Sequence, residues 1–435
     1  MKNIWKNYKT TIVLIFSLII GAIAGLIFKD KVLIVKPIGT LFMNLLLVII
    51  VPLIFLTIST SIAAIKQPKR LGKVLRSIVV TFVITSLVAC AVGLVSTYSI
   101  KLVDSGDKAA ITEQFYTEDE AEEKVAENEA DDRNFLERTV DALTVDDFSK
   151  VLSRDNILAI VVVSILVGLA ISKTGKDGEK LEEVLKSANK VVLKLVDLIF
   201  VLAPIGLGCY FAALVGTFGS EIALGFGKTF IIYTVVSILF FLIVYSIYAF
   251  IASGTEGVKV FWKNILPATA TSLATCSSAA SIPINVKCSK NMGVSDDIAE
   301  TIIPLGTTFH KDGSIIGSVF KIMFLVCLLG SDASLLQIIG VALVANILIA
   351  AVPVGGGTIS EMLIITSMGF PATALPILTI IAAIIDPQAT LLNVTGDTAA
   401  SMLTSRMVDG KDWMNKKTDK NEEKETKTEN KKRVK

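Results

Sequence analysis

An all-α polytopic membrane protein is the fold class this sequence predicts, and three observations predict it. The 435-residue chain is 52% hydrophobic and 19% charged, with mean hydropathy +0.67, far more apolar than an ordinary soluble domain. Its apolar residues come in repeated runs of roughly 17 or more, the length a helix needs to cross about 30 Å of hydrocarbon. Alternation at period two is absent, which argues against a membrane barrel.

Six ordinary spans fall at about residues 10–28, 36–65, 75–100, 156–172, 190–216 and 224–253. The first follows Lys2, Lys6 and Lys9 and carries a GAIAG stretch like a signal-peptide cleavage site. Its length and the spans behind it favour an uncleaved helix. Net charge is only +2, but its placement sets the topology. Lys66, Lys69, Arg70, Lys73 and Arg76 sit between the second and third spans, and Lys173, Lys176, Lys180 and Lys186 between the fourth and fifth. By the positive-inside rule these connections share the cytoplasmic side of a cell membrane with the basic N-terminus. Residues 103–150 are an acidic insertion that then faces outward as a solvated, partly helical or disordered linker. Residues 412–435 are a charged, low-complexity cytoplasmic tail. Five cysteines, Cys90, Cys209, Cys276, Cys288 and Cys327, lie scattered in apolar stretches without CxxC spacing. They read as small buried hydrophobes, not as a disulfide framework or a metal site.

Beyond residue 255 the apolar runs are interrupted by small and polar residues. Residues 266–292, with a Cys-Ser-Ser-Ala-Ala-Ser centre and Pro283, are too short and broken to cross and return except as a re-entrant hairpin. Residues 351–371, with Gly355, Gly356 and Gly357, repeat the pattern. Non-helical backbone at membrane depth is tolerated only where it lines a cavity or is buried in protein. Between them, residues 304–318 read as a helix interrupted around Gly306 and Gly313. Last comes IDPQATLLNVTGDTAAS, in which Asp386, Thr390, Asn393 and Asp397 fall at i, i+4, i+7 and i+11, one face of a helix. Two carboxylates in hydrocarbon are costly without partners, so the stripe is a functional-site expectation. Paired broken segments in corresponding halves point to a transporter site built from inverted repeats.

At these residues the sequence resembles the glutamate transporter homologue family, the dicarboxylate/amino acid:cation symporters, as an atypical member. The motifs are the hairpin tip Ser277-Ser278-Ala279, the interrupted helix His310-Lys311-Asp312-Gly313-Ser314, the glycine-rich second hairpin, and Asn393-Val394-Thr395-Gly396-Asp397. The resemblance implies eight transmembrane helices and two re-entrant hairpins in a homotrimer of elevator type. Residues 1–74 and 151–222 would be scaffold; residues 75–102 and 223–411 would be the moving transport domain. It implies that Asp386 pairs with a substrate α-amino group and Asn393 holds the α-carboxylate with backbone groups of Ser277, Ser278 and Gly355 to Gly357, while Ser314 and Thr390 line the pocket. It implies cation sites at Asp397 with carbonyls of Gly306, His310 and Asn393, at Asp312 with Thr85 and Ser86, and at the Thr308 carbonyl, Asp312 and Asp397 being the carboxylates that would meet Na⁺.

The sequence departs from that family at two places. Acidic-substrate members have an Arg where this chain has Ala389, and the first hairpin tip has Cys276 in place of an Arg. A side-chain carboxylate needs a charge-assisted partner that alanine lacks, so the expected substrate is a small neutral amino acid. The family's Asn-Met-Asp is His310-Lys311-Asp312 here. Lys311, with or without His310, then either replaces one or more bound Na⁺, leaving coupling to fewer Na⁺ or to H⁺, or forms an internal salt bridge with Asp312 or Asp397. Glu361 reads equally as a proton carrier or as a helix-end or cavity-facing carboxylate. A dicarboxylate or acidic amino acid carrier with Lys311 as its positive partner is the alternative, and a channel or sensor on the same fold is another. No cofactor, nucleic-acid partner or enzymatic activity is expected, since nothing pairs a nucleophile with a base.

Overall fold

The computed structural model describes residues 2–63, 71–103, 144–153, 156–347 and 357–414. Most of the acidic insertion, most of the first basic connection, the tail from residue 415, and Gly355 and Gly356 lie outside them. Among the described residues the secondary structure is helical throughout. The helices are α1 (Lys2–Phe28), α2 (Lys36–Ala63), α3 (Leu71–Tyr98), α4 (Ile157–Lys173), α5 (Lys176–Phe200), α6 (Ala203–Phe218) and α7 (Ser220–Leu239). They continue with α8 (Tyr245–Thr275), α9 (Ser278–Asn291), α10 (Asp296–Phe309), α11 (Asp312–Leu329), α12 (Leu335–Ile347), α13 (Gly357–Met368) and α14 (Leu375–Asp409). Among the described residues, five helical stretches have the length and composition to cross a membrane: Ile12–Phe42, Lys73–Tyr98, Ser220–Thr275, Asp296–Leu329 and Ala372–Asp409.

The chain forms two compact units, one of residues 1–66, 90–234 and 315–386, the other of 67–89, 235–314 and 387–435. In the first, α1 packs on α6 through glycine faces: a side chain on Gly25 would meet Val215 Cβ and the Gly216 nitrogen, each at 2.8 Å. Small residues let helix backbones approach where lipid offers no hydrophobic drive. Phe226 stacks edge-on against Phe211 and tilts against Phe324, while Tyr233 meets Phe320, tying α6, α7 and α11 together. The two arms α12 and α13 pack on each other.

In the second unit, α8 bends at Ser253 and Gly254, the latter at φ +63°, a conformation glycine adopts without a Cβ penalty. The bend frees the Ala252 carbonyl, which accepts from the Trp413 indole at 3.0 Å and from Arg406 at 3.3 Å. Beyond the bend α8 turns back as α9. Cys276 occupies the tip at φ +46°, and the Ser277 hydroxyl caps α9 by accepting from the Ala280 amide at 3.2 Å.

Three expectations change. The span at about residues 190–216 is two helices, α5 and α6, separated at Val201 and Leu202 with Pro204 opening α6, a position where the missing N–H of proline costs nothing. The interruption between α10 and α11 falls at His310 and Lys311, not at the glycines. Gly306 and Gly313 stay helical and are small because α14 packs on them: a Cβ at Gly306 would enter the Asp397 carboxylate, and one at Gly313 the Ala389 backbone. Of the cysteines, Cys90 and Cys288 are buried, whereas Cys209, Cys276 and Cys327 are half-buried.

Candidate functional site

The second unit holds a buried polar centre at the break between α10 and α11. α10 ends at Phe309, and His310 leaves it in extended backbone at φ −127°, ψ 113°, its amide donating to the Gly306 carbonyl at 2.8 Å. His310, Lys311 and Asp312 are 0%, 4% and 0% exposed, a burial that ionisable side chains show only when they have partners.

The His310 ring is the hub. Its Nδ1 stands 2.9 Å from Asp397 Oδ1 on α14, and its Nε2 stands 2.7 Å from the Thr85 hydroxyl on α3 and 3.2 Å from Asp312 Oδ1. Phe82, one helical step from Thr85, stacks on the ring at 4.5 Å between centroids and 15° between planes. A proton on Nδ1 is donated to Asp397, and Nε2 then accepts from Thr85; a proton on Nε2 is donated to the threonine oxygen. Both carboxylates thus face one imidazole.

The Tyr245 hydroxyl lies 3.2 Å from the other oxygen of Asp312, Oδ2, and 2.7 Å from the Leu392 carbonyl, two acceptors that share its single proton. Oδ1, 3.2 Å from His310 Nε2, is buried and, among the described residues, has no other donor beside it. Such an oxygen suits a hard cation, which takes oxygen ligands. Lys311 is buried at the same break within electrostatic reach of Asp397.

The stripe lies on one unbroken helix, since α14 runs through Asp386, Thr390, Asn393 and Asp397 with Pro387 inside it. Asn393 is joined to α11: its Oδ1 accepts from the Ser314 amide at 3.2 Å and its Nδ2 donates to the Ser314 hydroxyl at 3.0 Å. Ala389 is 7% and Thr390 5% exposed, while Asp386 is half-buried. Behind the stripe, Asn285 of α9 donates to the Val394 carbonyl at 2.8 Å and meets the Thr398 hydroxyl.

Of the expected residues, the structure brings together Thr85, His310, Asp312 and Asp397, and separately Ser314 with Asn393. Ser277 and Ser278 form the half-buried tip of the first hairpin. Ser86 is half-buried on α3, and Thr308 bonds back to Pro304 of its own helix at 3.4 Å. Gly357 opens α13, whereas Gly355 and Gly356 lie outside the described residues. Sequence reasoning passed over Tyr245, Phe82 and Asn285. One local sign accompanies Tyr245: the turn before it, Phe240–Val244, is π-helical, a bulge that recurs at functional sites and re-aims the side chains after it.

The profile of the Sodium:dicarboxylate symporter family matches residues 11–407. The chain belongs to that family. It is 26% identical over 410 residues to the proton/sodium-glutamate symport protein of Bacillus subtilis, covering 90% of each chain. It is 25% identical over 409 residues to the C4-dicarboxylate transport protein of Caulobacter vibrioides, covering 90% of this chain and 93% of that one. A neutral amino acid transporter B(0) of Rattus norvegicus is 27% identical over 260 residues, 58% of this chain and 46% of the relative. As a sodium:dicarboxylate family member the chain is a multi-pass membrane protein and a cation-coupled symporter, not an enzyme.

Proposed function

We propose that this symporter carries a small neutral amino acid, coupled to Na⁺ and/or H⁺, and that Lys311 replaces one or more of the sodium ions other members bind. The observation that carries the substrate class is Ala389: it sits on the same stretch of α14 as Asp386, Thr390 and Asn393, is buried, and has its backbone against Gly313. A substrate side-chain carboxylate there meets no guanidinium, and a carboxylate left without a charged partner is disfavoured. Asp386 receives the α-ammonium; Asn393, already oriented by Ser314, holds the α-carboxylate with backbone N–H groups of Ser277, Ser278 and Gly355 to Gly357. The rat relative's name supports a neutral substrate within the family, and the bacterial names support glutamate or C4-dicarboxylates as the competing class.

For coupling, the buried Lys311 and the His310 ring stand beside the carboxylates that would otherwise meet two cations. Asp312 Oδ1 remains for a transported cation. In this reading eight spanning helices and two re-entrant hairpins form inverted repeats. A transport domain of residues 75–102 and 223–411 moves as an elevator against scaffold residues 1–74 and 151–222, in a homotrimer with cytoplasmic termini. The packed pairs α8 with α9 and α12 with α13 support the hairpins.

A thermal-shift screen of the detergent-purified protein tests the substrate class. Serine, threonine or alanine should raise the melting temperature by mass action, in a salt-dependent manner, and aspartate and succinate should not. Stabilisation by succinate or aspartate alone would overturn the reading in favour of the acidic class.

A further inference from the structure

A second buried ion pair lies in the other unit, apart from everything assigned above. Lys321 of α11 and Glu361 of α13 are 5% and 1% exposed, with Nζ 3.5 Å from Oε1. The other carboxylate oxygen, Oε2, accepts from the Thr379 hydroxyl of α14 at 2.8 Å. Their surroundings are largely apolar, with Phe324, Leu325, Leu363, Ile364 and Leu378 all fully buried. Glu361 is therefore buried and paired, one turn inside the start of α13. Three helices meet on one carboxylate.

The partner arm is tied to the same face of α11 by weaker chemistry. Asn346 of α12 donates to the Ser318 hydroxyl at 3.1 Å, and Ser318 lies three residues before Lys321. One arm of the second hairpin is thus held by a neutral amide–hydroxyl bond and the other by an ion pair. Separating a buried pair exposes each charge to an apolar surround, which lowers the population of the separated state by roughly a hundredfold or more. A neutral side-chain bond restrains far less.

We infer that Lys321, Glu361 and Thr379 are a positioning lock that fixes α13 to α11 and α14. Glu361 is four residues past Gly357, one helical turn. The lock therefore sits one turn inside the first described residue of α13. Its consequence for transport rests on the hairpin reading given under Proposed function; the lock itself does not.

Hydrogen exchange of α13 amides, read by mass spectrometry on the full-length protein in detergent, separates the two. It needs no substrate, so a wrong substrate class leaves it unaffected. Glu361→Gln and Lys321→Met should each speed exchange across α13 by about tenfold or more relative to α4. The paired Lys321→Met/Glu361→Met and the swap Lys321→Glu/Glu361→Lys should return it to near the wild-type rate. Thr379→Val, nearly isosteric, should speed it by about threefold and serves if the single charge variants do not fold. Unchanged α13 exchange in Thr379→Val and in any single charge variant that folds would overturn the lock. So would paired variants that fold yet exchange as fast as the singles. In proteoliposomes the singles should raise KM for uptake more than they lower its maximal rate, with the swap restoring KM.

Discussion

Replacing Gly306 by alanine sets two effects of opposite sign against each other. Gly306 lies inside α10, where alanine is favoured over glycine by about 1 kcal/mol from helix propensity alone. The added Cβ, however, falls within the space of the Asp397 carboxylate. Overpacking of a tight site costs roughly 1–3 kcal/mol. Displacing the carboxylate also weakens its 2.9 Å bond to His310, and a hydrogen bond to a charged group contributes roughly 1.5–3 kcal/mol. The balance is about 1.5–5 kcal/mol of destabilisation. Gly340 is the control: it is exposed within α12, and a Cβ there meets nothing within 4 Å. Tryptophan-fluorescence unfolding in matched micelles should show Gly306→Ala melting well below wild type and Gly340→Ala at or slightly above it. If Gly306→Ala melts at or above wild type, the close packing of α10 on Asp397 is wrong, and with it the placement of the cation-site carboxylate.

Three further outcomes are expected. Tyr245→Phe removes the hydroxyl that bonds Leu392 and Asp312 in a fully buried place; it should destabilise by roughly 1–3 kcal/mol in denaturant unfolding and weaken the cation dependence of that stability. Cys276→Gly relieves a non-glycine residue at φ +46°; because left-handed backbone costs an L-residue roughly 1–2 kcal/mol and glycine's chain entropy offsets part of that, melting should rise slightly, whereas a marked fall would show that the Cys276 side chain is needed at the tip. Asn393→Ala should leave the fold largely intact but abolish ligand-induced stabilisation in calorimetry, since it removes the side chain that Ser314 orients.

The fold was legible where membrane physics is simple. Runs long enough to span located α2 and α4 to within two residues and the end of α1, whereas α1 begins earlier, in its basic leader, and α3 one turn earlier than the apolar run; the small-residue tip marked the first hairpin. The stripe from Asp386 to Asp397 was legible because four polar residues at helical spacing stand out against hydrocarbon. The helix break was misplaced because glycine in a polar stretch looks like a breaker. Gly306 and Gly313 are small for close approach to α14 instead, and that reason lies in a helix more than 70 residues away. Tyr245 escaped for the same cause: its partners Asp312 and Leu392 are distant in sequence, and a tyrosine in an apolar run gives no local sign of which oxygen it will meet. Lys321 was invisible because one lysine in a spanning helix reads as an isolated charge until Glu361 is seen beside it.

Uptake into proteoliposomes of wild type and Lys311→Met across a range of sodium gradients decides whether a neutral substrate moves with a cation built into the chain. Serine or a similar small amino acid should accumulate without inhibition by aspartate or succinate, with a shallow dependence on Na⁺ that steepens in Lys311→Met. Accumulation of aspartate or succinate in place of serine, or a steep Na⁺ dependence unchanged by the substitution, would contradict that expectation.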